Sequence, residues 1–379
     1  MRILKLAHSY LPERTGISEV ARRLAEGLVQ RGHEVHVATS WTPGRPRETV
    51  INGVHVHAFE LRGNWMQGIS GSVAEQERYR ALVFDQQWDV RHFHAGRTWT
   101  LDLLLDDIVG LSGRKIYTPH GLPDWQTEAW RPYYDKMRQL FFAFDRVVCL
   151  SETFEDKPFC ESIGLDAVVI PNGVDLSEFE QEPEGMRTKW GLEDRPFLVN
   201  VSNHSPPKGH HRLIELARRM PDMQVVGIGN HYPAEKWNLG RLGVKGGCYY
   251  RCRQAQRRLE NLSWQERMPR AQIVSALREA DLFVLTSVRE AAPLVILEAM
   301  AAGLPWVSFD VGNLRENAGG VIVESVKEME QTIRALLGDS ERRRELGAAG
   351  QRQIQERHSW ETITDQYEAL YAQPSVVPA

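Results

Sequence analysis

Glu290 and Glu298, separated by seven residues in SVREAAPLVILEAMAAGLP (residues 287–305), carry the most specific chemical pattern in the chain. The preceding LFVLT reads as a strand, and Pro293 is placed to open a helix, because its missing N–H is not needed in a first turn. Glu290 then lies in the turn at the strand's carboxyl end, and Glu298 lies on the helix a little over one turn in. A carboxylate accepts two hydrogen bonds from vicinal hydroxyls, which is what a ribose or hexose ring presents. The amides at the start of the helix offer donors and a partial positive charge to a phosphate.

Other reactive side chains are weighed against plainer readings. Lys208 precedes Gly209 at the end of a strand, and His120 stands in YTPHG. His92 and His94 alternate on a strand end, a spacing that can bind a metal. No third ligand accompanies them, so they read as solvent-facing or acceptor-contacting, and no metal is expected. The four cysteines (Cys149, Cys160, Cys248, Cys252) are too few for a disulfide framework and fit a reducing compartment. Cys149, in VVCL, reads as a small buried hydrophobe. Cys248 and Cys252 lie in RLGVKGGCYYRCRQAQRR (residues 241–258) and, without evident partners, do not specify a zinc site. That segment holds many positive charges and no negative one. It reads either as a solvated insertion or as a platform for an anionic lipid surface or a phosphorylated acceptor.

These residues need a scaffold, and the periodicity supplies one. Strands are expected at 2–8, 34–40, 54–60, 90–95, 114–120, 146–151 and 167–170, with a helix at 17–31 whose stripe is Val20, Leu24 and Leu28 and whose stop is Gly32. Pro171-Asn172-Gly173 is a strong turn signal, after which a second series begins. It has strands at 196–202, 223–229, 282–286, 305–309 and 319–323 and helices at 209–220 and 293–302. Two strand–helix series predict an α/β protein of two doubly wound, Rossmann-like domains facing one another, with ligands beyond the carboxyl ends of the strands. The boundaries are 1–172 for the first domain and 173–355 for the second. A helix within 356–379, with Trp360, Ile363, Tyr367, Leu370 and Tyr371 on one stripe, crosses back to the first domain.

Bulk properties agree with a two-domain globular protein of 379 residues, 42% apolar and 25% charged. A net charge of −4 gives no general pull toward nucleic acid. No signal peptide is recognisable, and no run approaches the roughly 20 apolar residues of a membrane span. The expected location is the cytoplasm, with peripheral contact at the inner membrane face through residues 241–258.

The E-x7-E segment and its small-residue helix resemble those of glycosyltransferase family 4, the retaining GT-B glycosyltransferases. The likeness runs through HSYLPERTGISEVARRLAEGLVQRGHEV, YTPHG, RVVCLSETF, IPNGVD, VSNHSPPKG and HSWETITDQYEALY, in order and across nearly the whole chain. It implies a retaining hexosyltransferase that moves a sugar from a UDP- or GDP-sugar to a hydroxyl acceptor in a glycan, lipid or small metabolite, with no bound cofactor. By this resemblance Glu298 holds the ribose and Glu290 the donor sugar. Lys208 meets the diphosphate, where departure of the nucleotide builds negative charge. Gly16 lets an amide approach the diphosphate, and His120 touches the donor sugar or supports the reacting centre through its carbonyl. Asn203, Ala291, Ala292 and Leu294 complete the donor group. Tyr10, His94 and Trp125 mark the acceptor side, and transfer is expected on cleft closure, which excludes water.

The chain departs from the family at Asn203, where an arginine is usual, at Pro293, and at Val311-Gly312-Asn313, where two glycines are commoner. Arg212 or Arg241 is a candidate for the missing charge. Two other functions share the architecture: a sugar-nucleotide 2-epimerase, whose acid–base carboxylates are not recognisable here, and a non-catalytic GT-B binding protein.

Overall fold

Buried aliphatic runs alternate with amphipathic helices along the chain, and the result is parallel sheet wrapped by helices. The computed structural model describes residues 1–13, 15–231 and 247–374. Two units share the chain: Met1–Gly173 with Trp360–Ala379, and Val174–Ser359. Among the described residues, no helix is long and apolar enough to cross a membrane.

The first unit contains β1 (Arg2–Ala7), β2 (Glu34–Ser40), β3 (Glu48–Ile51), β4 (Val54–Phe59), the separate hairpin β5 (Arg62–Asn64) and β6 (Gly68–Ser70), β7 (Val90–His94), β8 (Arg114–Thr118), β9 (Arg146–Cys149) and β10 (Val168–Val169). Its main sheet runs β10-β9-β8-β7-β1-β2-β4-β3. Every pair is parallel except β3 with β4. The strand order reverses between β1 and β7, the point at which an open α/β sheet leaves a crevice. Strands covered on both faces read as continuous apolar runs, yet here a polar layer lies inside. Register sets Lys5 opposite His92, and both are fully buried. Lys5 Nζ is 3.0 Å from His92 Nδ1, the Tyr371 hydroxyl is 2.5 Å from the same nitrogen, and His92 Nε2 meets Thr118 Oγ1 at 2.8 Å. Burial pushes Lys5 and His92 down and favours their uncharged forms.

Tyr371 belongs to helix Trp360–Ala372, which closes this core. Ile363, Tyr367, Leu370 and Tyr371 pack with Leu24 and Leu28 of helix Gly16–Gln30. Gly27 allows the close approach, since a Cβ there would lie 2.8 Å from Thr364 Oγ1.

The second unit contains β11 (Phe197–Val201), β12 (Gln224–Ile228), β13 (Leu262–Gln265), β14 (Leu282–Leu285), β15 (Trp306–Phe309) and β16 (Gly320–Val323). They form one parallel sheet, β13-β12-β11-β14-β15-β16, which reverses between β11 and β14.

Periodicity located the strands and helices named above to within two residues at most ends and passed over β3, the β5–β6 hairpin and β13. β3 is an edge strand with no buried residue, and β13 shows only two buried residues, Leu262 and Trp264, in four. Neither presents an apolar run.

Candidate functional site

In the second unit the relevant side chains gather where the strand order reverses. A single turn, Pro206–Lys208, follows β11. Gly209 then takes φ 62°, and a Cβ there would sit 2.0 Å from the Thr286 carbonyl oxygen. Only glycine lets this turn rest on the end of β14. Val288 N–H donates to the Pro207 carbonyl at 2.7 Å and locks the two loops together. The outcome is that Lys208 Nζ lies 2.7 and 2.9 Å from the two carboxylate oxygens of Glu290. Ser287 Oγ donates to Glu290 Oε1 at 2.5 Å. Glu290 is largely enclosed while the lysine is 30% exposed, so a cation reaches solvent from a carboxylate-lined floor.

A second loop supports this one. Asn313 N–H donates to the Ala291 carbonyl at 2.9 Å, and Gly312 at φ 58° brings its backbone against residue 291. Pro293 is the N-cap of helix Leu294–Ala301 and not its first residue. Its carbonyl accepts from Ile296 N–H at 3.1 Å. Glu298 is the fifth residue of that helix, and its Oε1 is 2.8 Å from Arg270 Nη1. Arg270 also reaches Glu178 at 2.7 Å. Burial acts to discharge this guanidinium, but the two carboxylates outweigh it and hold Arg270 above its ordinary value. Of the two candidates for the missing charge, Arg212 Nη1 donates to the Ser287 carbonyl at 3.1 Å and stacks over Phe309; Arg241 lies outside the described residues. Asn203 Oδ1 accepts from Asn230 N–H at 2.9 Å, and Asn230 Oδ1 accepts from Arg267 N–H at 2.8 Å. Asn203 therefore fastens the loop after β11 to that after β12, and Asn230 carries the tie on to the loop after β13.

The first unit has its own pocket at the β1–β7 reversal. His8, Ile17, Gly96, His120, Tyr133 and Tyr134 line a cavity of about 190 Å³. Three non-glycine residues on its border, Ala95, Arg97 and His120, have φ of 64°, 56° and 58°. Each such backbone costs about 1–3 kcal/mol, and strain of this kind concentrates at functional sites. His120 Nε2 is 2.9 Å from His94 Nδ1, and burial pushes His120 down to about 3, leaving a neutral imidazole. Behind it the buried Asp156 accepts from Gly121 N–H at 3.0 Å. Burial raises this carboxyl to about 7. Tyr133 OH donates to Asp102 at 2.8 Å and accepts from Arg97 N–H at 2.7 Å. Gly16 is the first residue of helix Gly16–Gln30, whose N-cap Thr15 forms a capping box with Ser18. Among the described residues, a Cβ at Gly16 would meet nothing within 4 Å.

Three expectations need correcting. His92 and His94 are not solvent-facing; both are wholly enclosed, because the parallel sheet buries both of its faces. The Tyr10 ring is 1% exposed and packs in the core, so it anchors its loop and presents no surface to an acceptor. Trp125 is half-buried against Phe159. Cys248 and Cys252, read as lacking partners, both face His210. Sequence spacing does not reveal Arg270, Glu178 or Asp156, since each meets its partner only through the fold; Ser287 sits three positions from Glu290, a spacing that carries no signal of its own.

Residues 184–353 match the family model described as glycosyl transferases group 1, and residues 14–178 match that of Glycosyltransferase Family 4. A GDP-mannose-dependent alpha-(1-6)-phosphatidylinositol monomannoside mannosyltransferase of Mycolicibacterium smegmatis is 28% identical over 240 residues. That match covers 57% of this chain and 59% of the relative. A phosphatidyl-myo-inositol mannosyltransferase of the same organism is 24% identical, over 94% of this chain and 89% of its own. Among solved structures, Anabaena HepE in complex with UDP-glucose superposes with a TM-score of 0.75 at 18% identity, covering 98% of this chain and 100% of that one.

Proposed function

The chain belongs to glycosyltransferase family 4 and has the GT-B fold, and from that premise we propose that it is a retaining hexosyltransferase using a nucleoside diphosphate sugar. The observation that carries the reading is the Lys208–Glu290 pair at the β11–β14 reversal, with a helix N-terminus beside it. In this reading Lys208 leaves the carboxylate for the diphosphate and offsets the charge that builds as the nucleotide departs. Glu290, relieved of the lysine, accepts from hydroxyls of the donor hexose, and the amides of Ala291, Ala292 and Leu294 lie near the phosphates. Glu298 holds the ribose, oriented by Arg270.

The first unit supplies the acceptor pocket, with the neutral His120 at its wall. A neutral imidazole there can accept a hydrogen bond from an acceptor hydroxyl. Relatives named for GDP-mannose and a structural neighbour bound to UDP-glucose make UDP- and GDP-hexoses the donors to try first.

The test is a panel of UDP-, GDP- and ADP-sugars read by thermal stabilisation and by slow release of nucleoside diphosphate. One sugar nucleotide should raise Tm, and Lys208→Ala should suppress its turnover. NMR of the product should then show the donor's anomeric configuration kept. A well-folded protein stabilised by none of the panel contradicts the proposal.

A further inference from the structure

Cys248 and Cys252 stand one turn apart on helix Cys248–Gln256, and the fold brings two histidines from a different part of the chain against them. His210 Nδ1 is 3.1 Å from Cys248 Sγ and 3.5 Å from Cys252 Sγ, and His204 Nδ1 is 3.9 Å from Cys248 Sγ. One ligand atom from each of the four residues falls within a sphere where no pair is more than 4.8 Å apart. All four side chains are buried, at 0–6% exposure. A tetrahedral zinc ion, with Zn–S near 2.3 Å and Zn–N near 2.0 Å, sets its sulfur–nitrogen edges at about 3.5 Å, in the middle of the 3.1, 3.5 and 3.9 Å found here.

The orientation of His210 is set from outside the cluster. Asn200 Nδ2 donates to the Val284 carbonyl at 2.8 Å, which turns Asn200 Oδ1 toward Ser202. Ser202 Oγ donates to that oxygen at 2.7 Å, so at 2.7 Å from His210 Nε2 it acts as the acceptor. His210 therefore carries its proton on Nε2 and aims the lone pair of Nδ1 at the two sulfurs, the arrangement found around metal-binding histidines. Trp264 walls the site, with ring centroids 4.8 Å from His204 and 4.5 Å from His210.

We propose that His204, His210, Cys248 and Cys252 form a structural zinc site in the second unit. Two thiolates and two neutral imidazoles neutralise a divalent ion, which suits a buried position, and four protein ligands leave no open place for catalysis. On binding, each thiol loses its proton to solvent and the sulfur lone pair goes to the metal. The ion joins the exit of β11, the start of helix His210–Arg219 and helix Cys248–Gln256. Lys208 lies on the chain between His204 and His210, so the metal grips both ends of its turn. That last consequence rests on the proposed role of Lys208; metal binding does not.

The full chain, produced with zinc in the medium and purified under reducing conditions, should carry about one zinc per molecule by elemental analysis. Chelation should lower Tm, and restoring Zn²⁺ should recover it. Replacing zinc by Co²⁺ should give a thiolate-to-cobalt charge-transfer band and the visible spectrum of a tetrahedral centre. Cys252→Ser and His210→Ala should abolish the metal, whereas Cys160→Ala, at a buried cysteine outside the cluster, should retain it. The proposal is overturned if the wild-type chain holds no zinc and gains no stability from Zn²⁺. It is equally overturned by a Cys248–Cys252 disulfide in the unreduced protein, or by Cys160→Ala losing zinc as readily as Cys252→Ser. None of these readouts depends on transferase activity, so failure here leaves the proposed function standing.

Discussion

Lys208 and Glu290, 82 positions apart in sequence, share both carboxylate oxygens with one ammonium at 2.7 and 2.9 Å. The pair satisfies each side chain until a ligand with anionic and hydroxyl groups replaces it. Lys208→Ala should lower turnover by about 10²–10³-fold, the scale at which a positioned donor to developing negative charge acts. Glu290→Gln should raise donor KM more than it lowers stability. Steady-state kinetics with the selected sugar nucleotide decide this; equal activity in Lys208→Ala removes the lysine from the mechanism.

Arg270 joins Glu178 and Glu298 in a partly buried triad. Removing the cation strands two carboxylates, so Arg270→Ala should destabilise the protein by about 1–3 kcal/mol in urea unfolding. The double variant with Glu298→Ala should lose less than the sum of the two single variants. Strict additivity would show that the pair does not act together.

Gly209 predicts a backbone effect. Gly209→Ala adds a carbon where only 2.0 Å separates it from the Thr286 carbonyl, in a left-handed conformation. Stability should fall by about 1–3 kcal/mol, and donor KM should rise as the Lys208 turn lifts from β14. A variant with unchanged KM would separate that turn from donor binding.

Asp156 predicts a pH dependence with a definite sign. Its folded value of about 7 stands above the ordinary 3.8. A carboxyl raised on folding contributes stability that is complete below its unfolded value and is lost as pH rises through the folded one. Asp156→Asn should therefore gain in Tm on the wild type as pH rises from about 5 to about 8. A constant difference across that range would assign the pH response elsewhere.

Arg251, Arg253 and Arg257 are exposed, while Cys248, Cys252 and Ala255 of the same segment are buried; residues 241–246 lie outside the described part. If this basic face meets an anionic lipid surface, reversing the three charges should abolish co-flotation with vesicles rich in phosphatidylglycerol. Phosphatidylcholine vesicles should bind neither form. Flotation that survives charge reversal would exclude the face.

What the sequence made legible follows from distance along the chain. The E-x7-E spacing, the strand ends and the apolar stripe of the last helix are local, and each was readable as a pattern. The partner of Glu298 was not, because Arg270 belongs to another element, and the second carboxylate on that arginine, Glu178, lies 92 residues from it. Cys248 and His210 are separated by 38 residues, so the cysteines showed no partners until the sheet set β11 beside β12. Burial of His92 and His94 was missed for a related reason: alternating polar residues resemble a half-exposed strand, and only the strand order shows that β7 is central.

The packing of helix Trp360–Ala372 on helix Gly16–Gln30 also bears on synthesis. The first unit is interrupted by the roughly 190 residues of the second before its closing helix is made. At about 5–20 residues per second, translation leaves the nascent first unit without Tyr367, Leu370 and Tyr371 for some 10–40 s. During that interval Lys5 and His92 await their tyrosine partner and an apolar groove stands open. A growing chain of this design invites chaperone binding between its two folding steps, and ribosome-bound chains stalled before residue 360 should be more protease-sensitive in their first unit than the released protein.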